Sequence, residues 1–201
     1  MSDSRALLLA AAAEQFAKHG PRGTRVQDIV KAAGVNERMI YHHFGNKDGL
    51  YAAALADQQD GLMAAWQPVL DEAVTLAPYP GMRMALRAFA QNLMARPLLV
   101  ALWMHESLGG WNTLPPPESD TPIKELRALY ERGQADGVFR ADCPFLVAHA
   151  TATSALVGLV VFEGRGRAFV ERAFGADPGP DGVLDLIVGQ LLDGMSGPAT
   201  S

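Results

Sequence analysis

Apolar positions recur at helical spacing along almost the whole chain, and strand-like alternation is nearly absent. Leu8, Leu9, Ala12 and Phe16 fall at i, i+1, i+4 and i+8, one stripe of an amphipathic helix that His19-Gly20-Pro21 ends. A short second helix is predicted over 26–33. Ile29 and Val30 face inward, Thr24 is its expected N-cap with Gln27 completing a capping box, and Gly34 supplies the stop. A third runs over 37–44 with Asn36 as N-cap and Met39 or Ile40 on one face with Phe44. Asn46 then caps a fourth helix that begins at Lys47, runs past Asp60 and is expected to kink near Pro68. Beyond it, Pro and Gly clusters at 77–81, 96–97, 109–122, 142–144 and 175–182 separate helical stretches near 82–95, 98–108, 123–136, 145–163 and 181–194. The fold class predicted is all-α: three short N-terminal helices followed by a larger helical domain, divided as residues 1–46 and 47–201.

Charge sharpens that division. Residues 1–50 carry seven Lys/Arg against five Asp/Glu, a net +2, whereas the remainder carries −7. The first part suits an anionic partner; the whole chain, at −5, does not suit coating nucleic acid along its length. The single cysteine, Cys143, allows no intrachain disulfide and fits a reducing cytoplasm. The run "ALLLAAAA" at 6–13 has the apolarity of a signal segment. Its spacing continues through Phe16 past Glu14, as a helix would and a cleaved leader would not. The run "ALVGLVVF" at 155–162 falls far below the ~20 residues of a membrane span, so no membrane is expected as partner.

The stretch "GVNERMIYHHFGNKDGLY", residues 34–51, concentrates the candidate chemistry. Two short helices joined by "AAGVN" form a helix-turn-helix, with Gly34 at the turn and Val35 and Ile40 filling the angle. The outward positions Glu37, Arg38, Tyr41 and His42 then suit a major groove. Arg38 matches a guanine edge bidentately, Tyr41 and His42 donate to phosphates, and Lys47 sits at a helix N-terminus beside an anion. Thr24 and Arg25 are placed to grip the opposite groove wall, and Asn36 and His43 complete the DNA-facing set. His42 and His43 are adjacent and diverge by about 100° on a helix, so they do not form a metal pair. No Cys or further His is near enough in sequence to finish a zinc shell, and no nucleophile turn of the GxSxG kind is present. No cofactor, metal or catalytic group is called for, and the chain is not expected to be an enzyme.

These residues carry a resemblance. "LLLAAAAEQFAKHGPRGTRVQDIVKAAGVNERMIYHHFGNKDGLYAAAL" resembles the N-terminal domain of the TetR/AcrR family of bacterial transcriptional regulators. The resemblance covers residues 7–55; the rest matches in being helical and of suitable length. It implies a homodimer on a palindromic double-stranded DNA operator, usually a repressor released by a small molecule. It implies that Tyr41, His42 and Lys47 meet phosphates and that Gln27, Glu37, Arg38 and Met39 face bases. Val30, where a small alanine is usual, and Arg25, where Ser or Thr is common, depart from the pattern and bear on which operator is read.

The larger part offers two expectations. "FLVAHATATSALVGLVVF", 145–162, is apolar nearly all round, and the last helix has a broad apolar face with nothing after it to cover it. Two such helices from each of two chains make a four-helix interface, with Ser154, Val157, Gly158, Val161, Leu184, Ile187, Val188 and Leu191 at its seam. A cavity for a small, largely apolar or aromatic effector is expected among Trp66, Phe89, Trp103, Met104, Trp111 and Phe145. Asn92, His105, Glu106 and His149 are its candidate polar groups. Inside so apolar a helix, His149 is expected to be a core histidine with a hydrogen-bond partner.

Overall fold

The structure, a computed structural model, describes residues 3–114, 123–174 and 179–197, with side chains left out at 163–171, 173, 174 and 180. Its helices in chain order are α1 (Ser4–Gly23), α2 (Val26–Ala33), α3 (Arg38–Phe44), α4 (Lys47–Ala73), α5 (Pro78–Met94), α6 (Pro97–Gly109), α7 (Lys124–Ala135), α8 (Phe145–Phe174) and α9 (Gly179–Met195). Among the described residues the only extended pairing is an antiparallel bridge between Phe139 and Ser196. The all-α expectation holds.

Two compact units share these helices: Met1–Met63 with Arg96–Glu118, and Ala64–Ala95 with Ser119–Ser201. In the first, α1 packs on α2, α3 and α6. Leu8, Ala12, Phe16, Ile29, Ile40, Leu50, Leu55, Leu99 and Leu102 are fully enclosed there, and the Phe16 and Tyr51 rings meet edge to face at 5.0 Å. In the second, α5 packs against α7, α8 and α9 around Trp66, Leu70, Met82, Tyr130, Phe139, Leu156 and Leu192. Arg132 donates to the Val74 and Leu76 carbonyls, capping the end of α4. A methyl on Gly133 would collide with the Phe139 ring, so close packing at that crossing requires glycine.

Local boundaries follow local chemistry. α1 turns sharply at Gly20, whose φ of 70° suits glycine and whose successor is Pro21. Asp3 caps α1 through the Arg5 amide. Asn46 Oδ1 accepts the Gly49 amide at 2.7 Å and starts α4 where expected; Pro68 sits inside that helix, which continues to Ala73.

Three expectations are corrected. Thr24 does not cap α2: Arg25 stands at the N-cap with no side-chain bond, and the Thr24 hydroxyl donates to the Gly20 carbonyl at 2.7 Å and lies 3.0 Å from that of Gln15. The third helix starts at Arg38, with Glu37 at the cap, although Asn36 Oδ1 does accept the Arg38 amide at 2.9 Å. α8 does not stop near 163 but runs to Phe174 through Gly164 and Gly166. Glycine in a helix costs about 1 kcal/mol each, which the unbroken backbone ladder outweighs. The Pro- and Gly-rich stretch over 109–122 is described only to Leu114; the rest of it lies outside the described residues.

Candidate DNA-facing surface and regulatory core

α2 and α3 are held by one buried side chain each, Ile29 and Ile40, and by Gly34 at φ 65°, where the left-handed turn between them requires glycine. Burying those two faces turns the rest outward. Arg25, Gln27, Asn36, Arg38, Tyr41 and His42 are exposed, Tyr41 by 55%. Glu37 and Met39 are half-buried, and the Tyr41 hydroxyl donates to Glu37 Oε1 at 3.3 Å.

Three members of the expected set have other partners. Thr24 is 3% exposed with its hydroxyl spent on backbone carbonyls, so its side chain leaves the DNA-facing set. Standing between α1 and α2, this threonine serves the kink of α1 at Gly20. Lys47, half-buried, donates to the Thr24 carbonyl at 3.1 Å, which fixes the start of α4 against the turn before α2. Its other two N–H groups are left for an anion. His43 Nε2 lies 3.0 Å from Ser4 Oγ, and its ring contacts His42 and Phe44, so it ties α3 to the first turn of α1. Arg5 stacks over Phe44 at 5.7 Å on the same flank.

α6 supports this module from behind. His105 Nε2 lies 3.1 Å from the Ala17 carbonyl, and the His105 ring rests against Gly20, where a methyl would be crowded. Glu106, 4% exposed, accepts the Thr113 and Leu114 amides at 3.0 and 3.2 Å and lies beside the Tyr51 hydroxyl. Burial opposes its ionisation. Tyr51 and the two amides outweigh that, and the carboxyl sits below its ordinary range. Tyr51, buried first and beside this carboxylate second, has its phenol raised above the usual value, although its oxygen does not reach hydrogen-bond geometry. The loop Glu106 holds includes Trp111, a non-glycine residue at φ 59°.

The second unit contains a cavity lined by Trp66, Met82, Leu86, Phe89, Leu126, Tyr130, Phe145, Ala148, His149, Ala152, Thr153 and Met195. The room left for a water-sized sphere is about 10 Å3, space for no more than one water. Of the ten residues expected to form an effector site, Trp66, Phe89, Phe145 and His149 line this cavity. Trp103, Met104, His105, Glu106 and Trp111 belong to the first unit and are not in its lining, and Asn92 donates to the Ala88 carbonyl of its own helix. The Trp66 indole donates to the Ala85 carbonyl at 2.9 Å. The expected satisfied histidine is corrected: His149 has a ring contact with Phe145 at 5.6 Å and no hydrogen bond among the described residues, and burial alone lowers its pKa.

The helices expected at the chain–chain seam divide in two. Ser154 and Val161 on α8 are exposed, and Val157 and Gly158 are half-buried beside them; a methyl on Gly158 would meet nothing within 4 Å. On α9, Leu184 and Val188 are 1% and 0% exposed, so they belong to their own chain's core; Ile187 and Leu191 are half-buried, and Leu186 faces out at 48%. The apolar face of α9 thus divides, with Leu184, Val188 and Leu192 inside their own chain and Leu186 outside among Asp181, Gln190 and Asp193.

Comparison with known proteins places this arrangement. Residues 8–54 match the family described as "Bacterial regulatory proteins, tetR family", and residues 78–189 that described as "Tetracyclin repressor-like, C-terminal domain". The HTH-type transcriptional repressor KstR2 of Mycolicibacterium smegmatis is 33% identical over 141 residues, 67% of this chain and 67% of that protein. The HTH-type transcriptional repressor AcnR of Corynebacterium glutamicum is 28% identical over 202 residues, covering 94% and 93%. A TetR family transcription regulator from Marinobacter aquaeolei shares the fold at a TM-score of 0.71 and 20% identity, over 97% of this chain and 96% of that one. The ketosteroid transcriptional regulator KstR2 of Mycobacterium tuberculosis does so at 0.66 and 21%, over 98% and 97%. These curated relatives are regulators of transcription and not enzymes. By the match of both its N-terminal helix-turn-helix and its helical C-terminal part, the chain belongs to the TetR family of bacterial transcriptional regulators and is a DNA-binding, helix-turn-helix protein.

Proposed function

We propose that the chain is a cytoplasmic repressor that binds an inverted-repeat operator as a homodimer and leaves it when a small, largely apolar or aromatic molecule enters the second unit. The observation that carries the reading is the outward set on α2 and α3. Gln27, Arg38, Tyr41 and His42 all stand free of the core that Ile29 and Ile40 close. Arg38 reads a guanine edge, with Glu37 and Met39 beside it on the same helix; Arg25, Tyr41, His42 and Lys47 neutralise or donate to phosphates.

One such helix reads only a few base pairs, so a useful site needs two copies about 34 Å apart. The second copy has a surface to use. The segment Phe145–Phe162 of α8 has a mean hydropathy of 2.0 yet is only 22% buried in its own chain. Val147, Val161, Phe162 and Leu186 are 55%, 40%, 63% and 48% exposed. Val147, Ser154, Gly158 and Val161 fall on one face of α8, and the bare Cβ position of Gly158 admits a close backbone approach. Effector control follows if entry into the cavity displaces the half of α4 that carries Trp66, since the same helix begins at Lys47 beside the reading module.

Val161→Glu tests the assembly. A carboxylate placed in an apolar seam is left unpaired, so the variant is expected to scatter light as a monomer and to lose the symmetric two-half-site footprint. A variant that remains dimeric and protects both half-sites places the interface elsewhere.

A further inference from the structure

We propose that His149 is the polar anchor of the second unit's cavity, and that the effector is an uncharged, ring-containing molecule carrying one hydroxyl or carbonyl oxygen that hydrogen-bonds this imidazole. The inference rests on the reading of that cavity as the effector site.

Three observations carry it. First, no residue of the lining is charged: the wall is Trp66, Met82, Phe89, Phe145 and other apolar groups, interrupted by His149, by Thr153 one turn further along α8, and by Tyr130. The guanidinium of Arg127 is not in the lining; it lies over the Phe145 ring at 5.3 Å and pairs with Glu131 at 3.7 Å. A charged ligand would shed its water with no counter-charge in the lining itself, a cost that an uncharged one does not meet.

Second, the polar groups differ in what they have left to give. The Tyr130 hydroxyl donates to the Cys143 carbonyl at 3.2 Å, and the Trp66 indole is committed to Ala85. The His149 imidazole has only its ring contact with Phe145. Burial favours its neutral form, which offers one N–H and one bare nitrogen. No group among the described residues bonds this imidazole, and its nitrogens are not among the enclosed, unpartnered atoms, so a ligand oxygen can take the place of water there.

Third, the cavity is closed to about 10 Å3 by side chains that rearrange easily. Met82 and Met195 are unbranched thioethers that adapt to an irregular guest. The aromatic pair Trp66–Phe89, with centroids at 4.7 Å, offers ring faces to a ring-shaped one.

The experiment uses the full chain and three matched probes, 2-naphthol, naphthalene and 2-naphthoate, measured by equilibrium dialysis. Wild type is expected to bind 2-naphthol about tenfold more tightly than naphthalene, one hydrogen bond's worth, and to bind 2-naphthoate more weakly than 2-naphthol. In His149→Leu the naphthol preference falls to about one while naphthalene binding persists; in His149→Gln, which keeps a donor and an acceptor, most of the preference returns. An undiminished preference in His149→Leu overturns the anchor and leaves the cavity standing. A tighter 2-naphthoate overturns the uncharged class. If none of the three binds wild type, the cavity reading fails and takes the anchor with it. Should His149→Leu not fold, the His149 ring resonances in wild type decide: they are expected to shift with 2-naphthol and not with naphthalene, and no shift with 2-naphthol overturns the proposal.

Discussion

Thr24→Val separates a structural threonine from a DNA contact. The hydroxyl is buried, donates to the Gly20 carbonyl at 2.7 Å and lies 3.0 Å from that of Gln15. Valine keeps the shape and removes the proton. The Gly20 carbonyl retains the Thr24 amide at 3.1 Å, so it is not orphaned, and the loss stays near that of one buried hydrogen bond, about 1–2 kcal/mol. For a chain of this length each kcal/mol moves the melting temperature by about 2–4 °C, so a drop of roughly 2–8 °C is expected by calorimetry. Thr24→Ser, which restores the hydroxyl, recovers most of it. Operator affinity, measured well below the transition, stays within about twofold of wild type, because the Thr24 carbonyl that Lys47 holds is unaltered. A variant that melts with wild type but binds operator poorly refutes this and returns Thr24 to the DNA.

Two further outcomes follow from the titrating groups. His149 has its pKa lowered by burial, so the unfolded chain binds more protons below the ordinary value of about 6.5; the stability it contributes is present above that pH and lost as pH falls below it. The pH dependence of unfolding between about 5 and 7 is expected to flatten in His149→Gln, and an unchanged profile rejects this assignment. Glu106→Ala removes the acceptor of the Thr113 and Leu114 amides, and their hydrogen exchange is expected to quicken by about tenfold or more, with no such change at the buried core of α5.

What was legible in the sequence was whatever is decided within one turn. Gly34 marks the end of α2, Asn46 the start of α4 and the Gly20-Pro21 pair the bend in α1, because each acts on backbone groups a few residues away. The outward face of α3 follows from the inward place of Ile40. What was not legible depends on partners distant in the chain. The packing of α6 on α1 rests on a glycine that leaves room for an imidazole from residue 105, and no local pattern announces it. Glu106 looked like a cavity group and is a loop clamp, since adjacency to His105 says nothing of which amides it will meet. Leu184 and Val188, expected at the seam, face their own chain for a similar reason: an apolar helical face can be covered by the same chain or by a second one, and only the distant packing on α5 decides which.

The central claim is that α3 reads sequence, and one titration tests it most directly. The full chain and Arg38→Ala are titrated by fluorescence anisotropy, at one fixed salt concentration, against an inverted-repeat duplex selected by wild type from random sequence and against a scrambled duplex of equal length. The account predicts that wild type prefers the repeat, and that Arg38→Ala loses about 1–3 kcal/mol on the repeat while its binding to the scrambled duplex changes far less. Equal losses on both duplexes, or no preference in wild type, contradict it.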